Sequence, residues 1–276
     1  MTDFCLAANV TTPEVQIVPG MLAYTGDLKQ SFSVLHCAGY TGVEWITVDP
    51  DRLGLPILDQ LLAEYQLHPV AVNTGRLCGE LGLTLSSPKQ EIRMAAEQRM
   101  KKVMEFAAHW GVPVNVGILR GCFLPEVSTE TTYGWTVEAL QRLSSFGTQY
   151  GVTLLLETVT TKMTNFINTL SQAAQLIRDV NQPALGVMYD VFQMDLEEPD
   201  MQESIQRYCA LCGHVHLADR DRKVPGDGGL DFPAILKQIV QSGYTGAYSI
   251  ELEMQPNPEI VHQRAAAYLK LLFESL

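Results

Sequence analysis

The sequence predicts an α/β protein, one closed (β/α)8 barrel over residues 1–276. Three observations carry that expectation. Short β-rich apolar runs alternate with longer helical patterns along the whole chain, which demands parallel strands joined by right-handed crossovers. Eight such units in 276 residues match a barrel domain of about 250 residues. The first strand runs into Ala8-Asn9-Val10-Thr11-Thr12-Pro13, not into the glycine-rich phosphate turn of an open doubly wound sheet. No linker, low-complexity tract or repeat of 20–50 residues interrupts the pattern.

In chain order, the strands are expected at Asp3–Asn9, Gly42–Thr47, His68–Thr74, Pro113–Leu119, Val152–Val159, Leu185–Phe192, Gly213–Asp219 and Ala247–Glu253. The helices between them are expected over 27–38, 55–65, 88–110, 132–150, 169–180, 201–211, 231–242 and 257–274. The third is the clearest: Ile92, Ala95, Ala96, Val103, Phe106 and Ala107 recur at three- and four-residue steps. Pro88, behind Ser86-Ser87, suits its first turn.

Composition narrows the function. Lys and Arg number 19 against 31 Asp and Glu, a formal charge of −12. Such a surface repels nucleic-acid backbones and anionic membranes. No apolar run approaches the roughly 18 residues of a membrane span. Asp3 stands where a signal peptide wants positive charge, and the first basic residue is Lys29, so a cytoplasmic protein is expected. Six scattered cysteines lack the density of a disulfide scaffold. Cys209-x-x-Cys212 reads as packing thiols where a helix runs into a strand.

In a barrel the active site lies at the carboxyl ends of the strands. The fifth strand is apolar until Glu157, and the sixth, Leu-Gly-Val-Met-Tyr, ends at Asp190. The seventh carries His214 and His216, and the eighth ends at Glu251. A carboxylate there can equally be a loop charge or a helix cap, and a lone strand histidine can be a core residue. Four consecutive strands each closing on a metal-competent group carry more weight, because an interior carboxylate must be paired or bound to a cation. Two Glu, one Asp and one His form an oxygen-rich set suited to Mn²⁺, Mg²⁺ or Co²⁺.

Ala38-Gly-Tyr-Thr-Gly-Val-Glu44, Leu154-Leu-Leu-Glu157, Gly186-Val-Met-Tyr-Asp190, His214-Val-His216, Pro225-Gly-Asp-Gly-Gly-Leu-Asp-Phe232 and Gly243-Tyr-Thr-Gly-Ala-Tyr-Ser-Ile-Glu-Leu252 carry a family resemblance. In order and spacing, the chain resembles the xylose isomerase-like TIM barrels, the sugar isomerases and epimerases. The resemblance implies metal ligands Glu157, Asp190, His216 and Glu251, with Mn²⁺ the first expectation. His216 is preferred to His214 because it lies nearer the strand's carboxyl end. In the ketose 3-epimerases of this family the two glutamates are also the acid–base pair. One removes the proton next to the carbonyl, giving a metal-stabilised cis-enediolate, and the other reprotonates the opposite face. The resemblance further implies a sugar substrate and a dimer or tetramer.

Arg222 falls where those epimerases have a substrate-contacting arginine, though its acidic and basic surroundings fit a solvated loop equally well. Two positions depart from their pattern. Met163 replaces a substrate glutamate, and Gln193 replaces a substrate histidine. The stretch Asn168-Thr-Leu-Ser-Gln172 is more similar to inosose isomerases and fructosamine epimerases. Asn73 is a further substrate-binding candidate, or a loop amide capping its own turn. Glu44 would line the mouth or pair with a neighbouring strand, and Trp45, Trp110 and Trp135 read as packing residues. The expected function is a metal-dependent sugar isomerase or epimerase acting on a ketose or keto-polyol. The alternatives are a keto-polyol dehydratase on the same metal site, an apurinic-endonuclease-like nuclease, and a non-catalytic sugar-binding barrel. The nuclease is opposed by the charge of −12 and by having only six histidines.

Overall fold

The computed structural model describes residues 4–276. Eight parallel strands close into a barrel in sequence order: β1 (Leu6–Thr11), β2 (Gly42–Ile46), β3 (His68–Asn73), β4 (Val114–Val116), β5 (Leu154–Glu157), β6 (Leu185–Asp190), β7 (Cys212–Leu217) and β8 (Tyr248–Ile250). β8 pairs back onto β1, with Leu6 opposite Tyr248 and Ala8 opposite Ile250. Closure leaves no free edge. Around it lie α1 (Leu28–Ala38), α2 (Leu55–Glu64), α3 (Gly75–Leu81), α4 (Gln90–Ala108), α5 (Thr129–Tyr150), α6 (Leu170–Val180), α7 (Val191–Glu197), α8 (Met201–Tyr208), α9 (Phe232–Gln241) and α10 (Pro258–Ser275). No helix among the described residues is long and apolar enough to cross a membrane.

Local chemistry explains the helix boundaries. Asp27, Ser128, Asp231 and Asn257 each accept a backbone N–H at the start of α1, α5, α9 and α10. Thr169 and Gln172 form a reciprocal capping box on α6. α1 ends on Gly39 in the left-handed conformation, φ 91°. Of the periodic residues of α4, Ala96, Val103, Phe106 and Ala107 are buried, and Ile92 and Ala95 are half-buried.

Several expected boundaries move. The first strand lies further along than Asp3–Asn9, and Asp3 itself is outside the described residues. The fourth strand stops at Val116, well short of Leu119, because Ile118–Arg120 turns into a 3-10 helix that buries Arg120. The fifth and eighth are likewise shorter, so Glu251 lies just past β8. Pro88 is outside α4, which begins at Gln90 with no side-chain cap; the Ser87 hydroxyl accepts the Lys89 N–H instead. α5 begins at Thr129, ahead of residue 132. α3 and α7 were not expected. The first contains two glycines, and both are too short for a clear period.

The six cysteines are free thiols, and burial pushes Cys212 up to about 12. Trp45 packs against Phe32 and Trp110 in the core, while the Arg93 guanidinium covers the Trp135 ring.

Candidate active site

The strand ends bring Glu157, Asp190, His216 and Glu251 together at the carboxyl mouth. One ligand atom from each lies within 4.8 Å of all the others. His216 Nδ1 is the hub, 3.9 Å from Glu157 Oε1, 3.9 Å from Asp190 Oδ2 and 3.7 Å from Glu251 Oε2. Asp190 and His216 stand opposite one another in the β6–β7 register. Asp190 has two jobs: its Oδ1 caps α7 through the Phe192 and Gln193 N–H groups, while Oδ2 turns into the cluster. The expected cap and the expected ligand are thus one residue.

Two amides orient the glutamates. Asn115 Nδ2 donates to Glu157 Oε2 at 2.9 Å, and Asn9 Nδ2 donates to Glu251 Oε1 at 3.2 Å. Gly117 completes the Glu157 seat, since a Cβ there would lie 2.5 Å from Glu157 Oε2. Arg120 fastens the backbone beneath it. Its buried guanidinium donates to the carbonyls of Gly117, Glu157, Phe166 and Ile167.

Arg222 is buried against the cluster, so the solvated-loop reading is overturned. Its guanidinium lies 2.8 Å from Asp190 Oδ2 and 2.9 Å from Glu251 Oε2, and 4.5 Å from the Phe192 ring centroid. To reach inward, Asp221 and Arg222 both take left-handed backbone, φ 58° and 55°. Such positions cost on the order of 1 kcal/mol each and persist only where their surroundings hold them. The hold comes from Asp219, whose carboxylate accepts the N–H groups of Arg220, Gly226 and Leu230. That accounts for the Pro225-Gly-Asp-Gly-Gly-Leu230 loop. Gly228 packs so tightly on Asp219 that a Cβ would lie 2.5 Å from its Oδ1.

The environment separates the two glutamates. Burial, reinforced by the Glu251 charge, pushes Glu157 up to about 8. Burial also opposes ionisation of Glu251, but the Arg222 guanidinium and His216 overcome it and hold that carboxyl below its usual range.

A cavity of about 490 Å³ opens above the cluster. Its floor includes Glu157, Glu251 and Arg222; Phe192, Ile46 and Met21 form apolar walls. Asn73 and Gln193 also line it, each with its carbonyl already engaged: Asn73 Oδ1 accepts the Gly75 N–H and Gln193 Oε1 the Thr160 N–H, both at 2.8 Å. Met163 lies at the cavity edge, largely exposed. Glu44 neither lines the mouth nor pairs with a neighbouring strand. It is buried inside the barrel and reaches across to His214 and His216 of β7.

The donor set fits a hard divalent cation. His216 Nδ1 is buried and without a hydrogen-bond partner, and it faces three carboxylate oxygens. One imidazole with three carboxylates suits Mn²⁺, Mg²⁺ or Co²⁺ better than the thiolate-rich zinc sites.

Sequence reasoning missed Asn9, Asn115 and Arg120. The two asparagines were detectable as polar residues inside apolar strands. Nothing around Arg120 distinguishes it from an exposed loop charge.

Fold and site define an α/β barrel with a buried carboxylate–imidazole cluster at its mouth. The chain belongs to the xylose isomerase-like TIM barrel family, whose model matches residues 32–272. It is 26% identical over 220 residues to the ketose 3-epimerase of Arthrobacter globiformis, covering 78% of this chain and 73% of that protein. It is 25% identical over 253 residues to the 3-dehydro-D-guloside 4-epimerase of Escherichia coli K12, covering 88% and 94%. A solved L-ribulose 3-epimerase superposes with a TM-score of 0.82 at 21% identity, covering 97% of this chain and 94% of that one. These similarities support an enzyme of the isomerase and epimerase class.

Proposed function

We propose that the protein is a divalent-metal-dependent sugar epimerase or isomerase, acting on a ketose or keto-polyol by proton transfer next to its carbonyl. The observation that carries this reading is the convergence of Glu157, Asp190, His216 and Glu251 on one point, beside a cavity lined by Glu157 and Glu251. The epimerase names of the relatives, two of them ketose enzymes, agree with it.

Glu157, Asp190, His216 and Glu251 would hold the ion. Once bound, it supplies electrostatic stabilisation to the substrate oxygens on which negative charge develops. The protein supplies the proton transfers. Glu157 comes from β5 and Glu251 from the end of β8, three strands apart around the ring, so a sugar between them meets a carboxylate from either side. One carboxylate takes the proton adjacent to the carbonyl, and the other returns one to the opposite face. Arg222 keeps Glu251 ionised and offers its guanidinium to a substrate oxygen. Gln193 and Asn73 present their amide NH₂ groups to hydroxyls, and the apolar walls exclude water. The whole chain works as one domain.

The test is a panel of ketoses and inososes in deuterated water, read by NMR. Glu157→Gln and Glu251→Gln keep a coordinating oxygen but remove the base, and each should lose turnover by about 10²–10⁴-fold. Each should keep proton exchange from one epimer only, with opposite preference. Wild-type turnover and exchange in both variants would overturn the two-glutamate mechanism.

A further inference from the structure

Beneath the candidate site lies a second buried cluster that the proposed proton transfers do not use. Glu44, His214 and His216 are almost or wholly inaccessible to solvent. Both imidazoles place Nε2 2.8 Å from the same atom, Glu44 Oε2. His214 Nε2 also lies 2.8 Å from the Ser249 hydroxyl, and Ser249 stands beside His216 in the β7–β8 register. Glu44 Oε1 has no partner, so all of its bonding runs through one oxygen. β2 and β7 are not adjacent in the ring, and the contact crosses the barrel interior.

An ionised carboxylate accepts hydrogen bonds and donates none. An imidazole nitrogen 2.8 Å from it therefore carries the proton. That places a hydrogen on His216 Nε2 and leaves Nδ1 as the nitrogen open to a cation. Nδ1 is the atom left buried without a hydrogen-bond partner and aimed at Glu157, Asp190 and Glu251.

We propose that Glu44 is a positioning residue for the cation site. It sets the tautomer and rotation of His216 so that Nδ1 is the ligating nitrogen, while His214 and Ser249 hold Glu44 in turn. His214 is thereby a brace and not a ligand. This inference rests on the cation-site reading given above. A carboxylate behind a ligating histidine orients the ring and raises its basicity, and losing it typically weakens metal binding about 10–100-fold.

The test titrates metal-free full-length protein with Co²⁺, followed by visible d–d absorption and by calorimetry. Wild type should bind one Co²⁺ per chain. Glu44→Gln preserves size and one acceptor, so it should remain folded, bind about 10–100-fold more weakly and show shifted d–d bands. An unchanged Kd and spectrum in folded Glu44→Gln would overturn the proposal. So would two Co²⁺ per chain, since Glu44, His214 and His216 could then be a cation site themselves. If Glu44→Gln does not fold, ¹⁵N-histidine NMR of wild type during Mg²⁺ addition decides. Nε2–H with a shifting Nδ1 supports the proposal, and a persistent Nδ1–H refutes it. If wild type binds neither ion, the cation-site reading fails as well. If wild type binds and the Glu44 variant matches it, only the positioning role fails.

Discussion

Replacing Arg120 with Met removes the guanidinium that joins the ends of β4 and β5 to the segment around residue 166. Four N–H···O=C bonds of 2.7–2.8 Å are lost, to Gly117, Glu157, Phe166 and Ile167. The Gly117 carbonyl keeps a second donor, the Arg120 backbone N–H at 3.2 Å. For the other three, the lost charged donors are worth roughly 1.5–3 kcal/mol each. Relief from burying a cation, which drags the guanidinium down to about 10, offsets part of that. The net loss should be about 3–5 kcal/mol, as when one member of a buried charged interaction is removed. At roughly 2–4 °C per kcal/mol for a domain of this size, Tm should fall by about 6–20 °C. Because one broken bond holds the Glu157 main chain, turnover should fall on the order of 10²-fold, the effect of a displacement near 1 Å. Calorimetric melting and steady-state kinetics at a temperature where the variant is folded measure the two effects separately. Arg120→Lys should recover little, since one ammonium cannot span four carbonyls. A Tm within 2 °C of wild type, or wild-type kcat, would refute the view that Arg120 anchors Glu157.

Chelation should abolish activity and lower Tm, because a ligand at a hundredfold excess over Kd stabilises the folded state by about 2.7 kcal/mol; melting with EDTA and with added Mn²⁺ checks it. Asp190→Asn should reproduce both losses. Gln193→His exchanges the amide that accepts the Thr160 N–H and should redistribute kcat/KM among ketoses without changing Co²⁺ affinity; an identical substrate profile would remove Gln193 from the site. His262 is buried between Tyr24 and Tyr40, and burial lowers it from 6.5 to about 3. Between those values the unfolded chain binds the extra proton, so the stability owed to neutral His262 falls as pH drops below about 6.5. Denaturant unfolding should show up to about 1.4 kcal/mol lost per pH unit from this residue, and His262→Phe should flatten that slope.

The parts of this protein legible in its sequence are those governed by local pattern. Alternating apolar runs imply a parallel closed sheet, and a strand that stays apolar until its last residue marks Glu157 and Asp190 as inward-facing, while Glu251 stands one residue past β8. Arg222 was ambiguous because its meaning depends on a loop wound around Asp219, and only closure of that loop turns a charged run into a buried guanidinium. Asn9 and Asn115 show a subtler limit. Each is a polar residue within an apolar strand, the same signal that marked the carboxylates, but an amide carries no charge demanding a partner. The expected end of the first strand at Asn9 hid its interior position, because β1 runs on to Thr11. Glu44 is the extreme case. Its carboxylate is plain in Gly-Val-Glu-Trp, yet its partners lie 170 and 172 residues away on a strand that β2 does not pair with. Periodicity reports which way a side chain faces and register reports which neighbour it meets, but a bond across the barrel interior depends on the diameter and tilt of the whole ring. The His-x-His of β7 then acquires a division of labour that strand position alone could only rank. Both rings share Glu44, and His216 turns its other nitrogen to Glu157, Asp190 and Glu251.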